Sequence, residues 1–186
     1  MRVLGIDPGS ETTGWGVVEG NARRYAAVDF GTVKANPRER FAARLLKIAV
    51  GVESLIERFR PDVCAVEEAF FSVNAKTALK LGHVRGVVLL AAERAGVEIA
   101  EYAPRLVKQT VVGYGAAEKQ QVQEMMRVLL KLKEPPAPFD ASDALAVAIT
   151  HLHHARAPQV SKEKATPARA KLEALLAANP RRRAPR

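Results

Sequence analysis

Cysteine is all but absent from this 186-residue sequence. The single one, Cys64, lies in an apolar run, so neither a disulfide framework nor a thiolate metal site is available, and a reducing compartment is expected. Long hydrophobic runs are missing as well. The longest uncharged apolar stretch, Gly86 to Ala92, is far shorter than the roughly 20 residues a membrane helix needs. The N-terminus also lacks a signal-peptide layout, which predicts a soluble, cytoplasmic protein. No Gly-Lys-Ser/Thr phosphate loop, no serine nucleophile elbow and no cysteine with a catalytic partner is present, which argues against P-loop nucleotide hydrolysis and acyl transfer. No internal repeat is visible.

What is present is a chain of single-domain size, 48% hydrophobic, with a net charge of +9 that is unevenly spread. Met1 to Ala75 is neutral, Lys76 to Lys133 carries +5, Glu134 to Ala155 carries −3, and Arg156 to Arg186 carries +7. The last of these is a basic tail with a general affinity for polyanions, predicted to be flexible over 157–186 beyond a folded domain at 1–156. A short helix at 168–178 is the one element expected in it. The middle segment is more informative, because it places basic side chains on ordered helices beside an acidic patch. Proteins that hold a phosphate backbone while metals occupy carboxylates are laid out in this way.

Val3, Leu4 and Ile6 read as a buried strand ending on Asp7, and Pro8-Gly9 then forces a turn. The strand pattern resumes at Thr12, with Gly9, Gly14 and Gly16 adding backbone freedom, and a third strand follows over Arg24 to Lys34. Asn36 as cap, Pro37 and Glu39 predict a helix start, with Phe41, Leu45, Ile48, Val52, Leu55, Ile56 and Phe59 at helical spacing before Pro61. A doubly buried strand over Asp62 to Glu68 comes next, and a helix from Asn74 to Gly96 is apolar nearly all round in its second half. Either the domain interior or a second subunit must cover that helix, which makes a homodimer the expectation. A strand over Val97 to Ala103, a short helix from Pro104, a break at Gly113-Tyr114-Gly115, a helix over Glu118 to Lys133 and a final helix over Asp140 to Ala155 complete the order. The fold class is therefore α/β, a five-stranded mixed sheet flanked by helices on both faces.

If the fourth strand lies parallel to the first, Asp7 and Glu67 end at one sheet edge. Asp140 and Asp143 share a helix face. Each acid has an ordinary explanation: Asp7 as a turn cap, Asp140 or Asp143 as a helix cap. Four carboxylates facing one another instead repel and require a cation, and hard Mg²⁺ ions suit oxygen donors and a substrate phosphate. Two such ions about 4 Å apart activate water and stabilise the leaving oxygen of a phosphodiester. Strand alternation cannot choose between Glu67 and Glu68 at a strand end.

The surrounding residues add a resemblance. Gly5-Ile6-Asp7-Pro8-Gly9-Ser10 with Thr13-Gly14-Trp15-Gly16, Ala65-Val66-Glu67-Glu68-Ala69-Phe70, Ala78-Leu79-Lys80-Leu81-Gly82 with Arg85-Gly86, Val107-Lys108-Gln109-Thr110-Val111-Val112-Gly113 with Glu118-Lys119, and Asp140-Ala141-Ser142-Asp143-Ala144-Leu145-Ala146 occur in order. Over Met1 to His154 the chain resembles the RuvC family of Holliday junction resolvases. That resemblance implies a ribonuclease H-like fold and a homodimeric, Mg²⁺- or Mn²⁺-dependent endonuclease that nicks four-way DNA junctions symmetrically in recombination and repair. It also implies a branch-migration complex, RuvA-RuvB, as partner. By motif it makes Asp7, Glu67, Asp140 and Asp143 the catalytic, metal-binding set. Lys108 and Lys119 become phosphate contacts, and Phe70 an aromatic beside the site.

Lys76, Lys80 and Arg85 are further candidates for DNA contact, against the ordinary reading of solvated helix faces. Phe70 has core packing as its alternative, and Tyr114 either touches DNA or covers a hinge. Of His151, His153 and His154 even the first sits roughly 12 Å along the helix from Asp143, too far to share an ion, and the three read as C-terminal residues favoured by the helix dipole. His83 reads as a packing residue. The rivals are a ribonuclease H-like nuclease acting on RNA or hybrids, a non-catalytic DNA-binding module, and a sugar-kinase or actin-like ATPase, which needs two such domains where this chain has room for one.

Overall fold

The first strand sets the geometry. In β1 (Arg2–Asp7) Val3 packs into one hydrophobic cluster while Leu4 and Ile6 pack into another, so strand alternation places Gly5 and Asp7 on the Val3 side. A one-residue slip would exchange the two sets. Because burying each such aliphatic side chain is worth about 1.5–3 kcal/mol, the register is fixed. The computed structural model describes residues 1–68 and 74–155.

β2 (Thr12–Asn21) pairs antiparallel with β1, setting Gly16 opposite Gly5 and Gly14 opposite Asp7. β3 (Arg24–Lys34) extends this meander. On the other side of β1, β4 (Val63–Glu67) and then β5 (Glu98–Tyr102) add in parallel, with Glu67 beside Tyr102. The five strands run in the order β3-β2-β1-β4-β5.

Helices α1 (Phe41–Phe59) and α2 (Ala75–Arg94) cover the Leu4/Ile6 face. Helices α3 (Pro104–Val112), α4 (Lys119–Leu129) and α5 (Phe139–His154) cover the Val3 face. The expected mixed sheet with helices on both faces is thus present. The described residues belong to one compact unit, Met1–Ala155. The tail over 157–186, and with it the short helix expected at 168–178, lies outside the described residues.

Three local readings differ from expectation. α1 begins at Phe41, because Asn36 accepts the Arg38 N–H at 3.0 Å in a separate turn and caps nothing helical. α4 is capped by Glu118, whose box with Gln121 is complete, but it ends at Leu129, short of the expected Lys133, because Lys131 adopts a left-handed φ of 53°. Gly14 is not there for backbone freedom. A Cβ on it would lie 1.9 Å from the Asp140 carbonyl oxygen, and one on Gly5 would lie 2.0 Å from that of Ala144. These glycines form a floor on which α5 lies against the sheet.

Candidate active site

The floor brings the N-terminal turn of α5 onto the ends of β1 and β4. Asp7 closes β1 on the α5 side, and Glu67 follows Ala65 at period two, so it looks to the same side. Glu68 lies past the strand, exposed, and its N–H donates to the Tyr102 carbonyl at 2.9 Å. α5 starts at Phe139, which sets Asp140 in its first turn and Asp143 one turn on. The N-cap is Pro138, and no side chain caps the helix. Neither aspartate is therefore spent on capping.

The four acids act on one another. Asp7 and Glu67 lie side by side, and the interaction between their carboxyls lowers the pKa of Asp7 and raises that of Glu67. Burial, then the charges of Asp143 and Asp140, push the Asp7 carboxyl up to about 7, against a pull downward from Lys119. Burial, then Asp7 and Asp143, push Glu67 up to about 8. Burial also raises Asp143, with Lys119 and Lys108 opposing it and Asp140 reinforcing it. Raised values at Asp7 and Glu67 mark a place where positive charge is too scarce to compensate the carboxylates.

The cations at hand are Lys119 and Lys108. Lys119 Nζ lies 3.7 Å from Asp143 Oδ2, with its side chain largely in solvent. Lys76 and Lys80 are exposed on the first turns of α2, which Asn74 caps by accepting the Lys76 and Thr77 N–H groups. Arg85 is differently placed. It is ion-paired with Glu101 of β5, and its Nε is buried without a partner. Phe70 lies outside the described residues, and Tyr114 is exposed between α3 and α4.

Among the described residues, no three histidine, cysteine or acidic side chains are gathered tightly enough to enclose an ion by themselves. All four donors are carboxylates, and their unrelieved repulsion fits hard divalent ions that keep water and take substrate oxygens as remaining ligands. The histidines hold no such site. His151 is buried rather than a charged helix end, and Tyr102 Oη lies 2.8 Å from its Nδ1. Burial lowers the His151 pKa, while Glu98 opposes that. His154 Nε2 lies 3.0 Å from Thr110 Oγ1. His83 is exposed, with Phe41 at its ring edge, so it is not a core packing residue. Sequence reasoning missed Arg44, an α1 residue only 5% exposed, because an arginine on a helix reads as solvated.

This strand order, with acids at the ends of the adjacent parallel strands β1 and β4 and two more from the helix crossing that face, defines a nuclease of the ribonuclease H-like class. The sequence matches the family described as crossover junction endodeoxyribonuclease RuvC over residues 3–151. It is 50% identical over 153 residues to the crossover junction endodeoxyribonuclease RuvC of Caldanaerobacter subterraneus subsp. tengcongensis, covering 82% of this chain and 93% of that one. To the RuvC of Heliobacterium modesticaldum it is 52% identical over 153 residues, 82% of this chain and 94% of the relative. Thermus thermophilus RuvC, solved in complex with Holliday junction substrate, superposes with a TM-score of 0.79 at 42% identity, covering 84% of this chain and 95% of that one. The chain belongs to the RuvC family of crossover junction endodeoxyribonucleases.

Proposed function

We propose that this nuclease resolves four-way DNA junctions with a centre built from Asp7, Glu67, Asp140 and Asp143. It hydrolyses phosphodiester bonds of Holliday junctions and serves recombination and repair. The observation that carries the site assignment is that acids from β1, β4 and α5 raise one another's proton affinity. These carboxylates would hold two divalent ions, Mg²⁺ or Mn²⁺, and the chemistry such ions would supply is activation of water and Lewis-acid stabilisation of the leaving oxygen. Ion binding there would release the protons of Asp7 and Glu67 to solvent, since the ionised carboxylates are the donors. Lys119 and Lys108 neutralise the substrate phosphate beside Asp143, and Lys76 and Lys80 extend the basic track for the backbone. Arg85 serves that track only by leaving Glu101. Phe70, two residues after the acidic pair in sequence, stacks on an unpaired base, a contact worth about 1–3 kcal/mol.

The enzyme acts as a homodimer through the outer faces of α1 and α2. Leu46, Val50, Leu79 and Leu90 are more than half exposed there. Gly82 and Gly86 have open space where a side chain would be, in a helix where each glycine costs about 1 kcal/mol relative to alanine. A second helix lying across α2 would account for both. Two-fold symmetry then offers one site to each of two equivalent strands of the junction. No described helix is long and apolar enough to cross a membrane. We place the protein in the cytoplasm, working with a RuvA-RuvB branch-migration complex.

The test is incubation with Mg²⁺ and a synthetic four-way junction. Paired symmetrical nicks are expected, and their absence, or equal cutting of RNA–DNA hybrid duplexes, would overturn the reading. Metal-independent binding with no cleavage would favour the DNA-binding module instead.

A further inference from the structure

The turn between β1 and β2 carries Asp7 at its root, and its carbonyls are held to an unusual degree. Thr13 Oγ1, fully buried, donates to the Gly9 carbonyl at 2.8 Å, and the Ala35 N–H donates to that of Glu11 at 2.8 Å. Between them, the Ser10 carbonyl receives Nε of Arg44 at 3.0 Å and Nη2 of the same guanidinium in a shorter contact. Arg44 reaches it from α1, 34 residues away in sequence, with its guanidinium 5.7 Å from the Phe41 ring centroid. The nearest acid, Glu11, is 3.9 Å off and mostly in solvent.

A guanidinium this well buried is expensive when its acidic neighbour, Glu11, stands at 3.9 Å and mostly in solvent, and here it is spent on a backbone carbonyl. A leucine or methionine at position 44 would continue the α1 core at less cost. What the arginine adds is a fork whose N–H groups converge on one oxygen of the turn. Lys119 is the cation that draws the Asp7 pKa down, whereas the Arg44 guanidinium is engaged on the backbone of the turn.

We infer that Arg44 is a positioning residue of the nuclease centre: by gripping the Ser10 carbonyl from α1 it fixes the turn behind Asp7, and with it the direction in which that carboxylate faces ions and substrate. This rests on the site assignment proposed above. Outer-shell residues of this kind typically change metal affinity or activity by about 10- to 100-fold when removed.

The experiment compares Arg44→Gln, Arg44→Lys, Glu11→Gln and Asp7→Asn with the unmodified chain by three readouts. These are single-turnover junction cleavage against Mg²⁺ concentration, junction binding in chelator, and amide hydrogen exchange over residues 5–16 in metal-free protein. Arg44→Gln should cut about 10- to 100-fold more slowly, bind the junction unchanged, and exchange faster over the turn. Arg44→Lys should fall between, because one ammonium donor replaces a fork, and millimolar guanidinium should restore part of the Arg44→Gln rate. Glu11→Gln should behave as the unmodified protein. If Arg44→Gln is folded yet cuts at the normal rate, or loses binding in proportion to cleavage with no change in exchange, the inference is wrong. Should Arg44→Gln fail to fold, Arg44→Lys, which keeps charge and stem, decides by the same readouts. Normal cutting by Asp7→Asn would instead sink the site assignment, whatever Arg44 does.

Discussion

Replacing Asp7 by Asn should abolish cleavage yet stabilise the metal-free protein at alkaline pH, and the size of that gain follows from the carboxylate cluster. The unfolded Asp7 carboxyl titrates at 3.8 and the native one at about 7, raised by burial and then by Asp143 and Asp140. A carboxyl with a raised native pKa leaves the fold unpenalised below its unfolded value. Its penalty grows as pH rises through the interval between the two. Three units correspond to about 4 kcal/mol by pH 8, an upper figure because the Glu67 carboxyl interacts with that of Asp7. The unmodified protein in chelator should therefore lose stability from pH 5 to pH 8. Asp7→Asn should lose less than half as much, since removing Asp7 also relieves the second-largest cause of the Glu67 shift.

For a folded unit of this size, 1 kcal/mol moves Tm by about 2–4 °C, so the two proteins should differ by on the order of 10 °C at pH 8 and by less than half of that at pH 5, where the native and unfolded titrations have only begun to part. His151 works in the opposite direction, because burial depresses its pKa and its protonation on acidification costs stability. That contribution is common to both proteins and cancels in their difference. The assay is thermal unfolding by circular dichroism at several pH values, with and without Mg²⁺ or Mn²⁺. Divalent ions at pH 8 should raise the Tm of the unmodified protein and do much less for Asp7→Asn. A difference between the two proteins that does not change with pH in chelator would refute the reasoning.

Glu67→Gln should abolish junction cleavage while Glu68→Gln retains it, because Glu67 is the one that lies beside Asp7; equal loss in gel assays would contradict this. Gly5→Ala should destabilise the fold by several kcal/mol or prevent folding, since its Cβ would meet the Ala144 carbonyl at 2.0 Å, and denaturant unfolding measures it. Ser142→Ala should raise stability by about 1 kcal/mol, because the buried Ser142 Oγ has no hydrogen-bond partner; unchanged or lower Tm would show that the hydroxyl is satisfied. Leu90→Glu should shift the protein towards monomer in sedimentation and remove paired nicking, given that Leu90 is 58% exposed.

Much of the fold was legible because its signals are local. Val3, Leu4 and Ile6 fill both faces of β1, and such a strand has to be central. The α1 start was misread because Asn36 makes the same side-chain bond to a nearby N–H in a free turn as it would at a helix N-cap. Only the packing of Phe41 onward decides which. Gly5 and Gly14 posed a related ambiguity, since a glycine that makes room for a helix looks the same in sequence as one that permits a positive φ. Arg44 was missed and the placing of His151 differed because a titratable residue on a helix gives no local sign of whether it faces water or the interior.

The acids themselves were legible by type and by their places at element ends, yet their meeting was not. It depends on how closely α5 lies on the sheet. At Gly14 the Asp140 carbonyl occupies the space of a missing side chain, and a single methyl there would lift the helix start away from Asp7 and Glu67. Repulsion within the cluster pushes in that same direction, since charge is relieved by separation as well as by ions. What opposes it is the packing of Leu145, Ala146, Ala148 and Ile149 further along α5, all buried. The helix is anchored along its buried length so that its charged first turn can be held where it would not otherwise stay. Stability and function thus pull against each other within one helix, and divalent ions remove the conflict only when they bind.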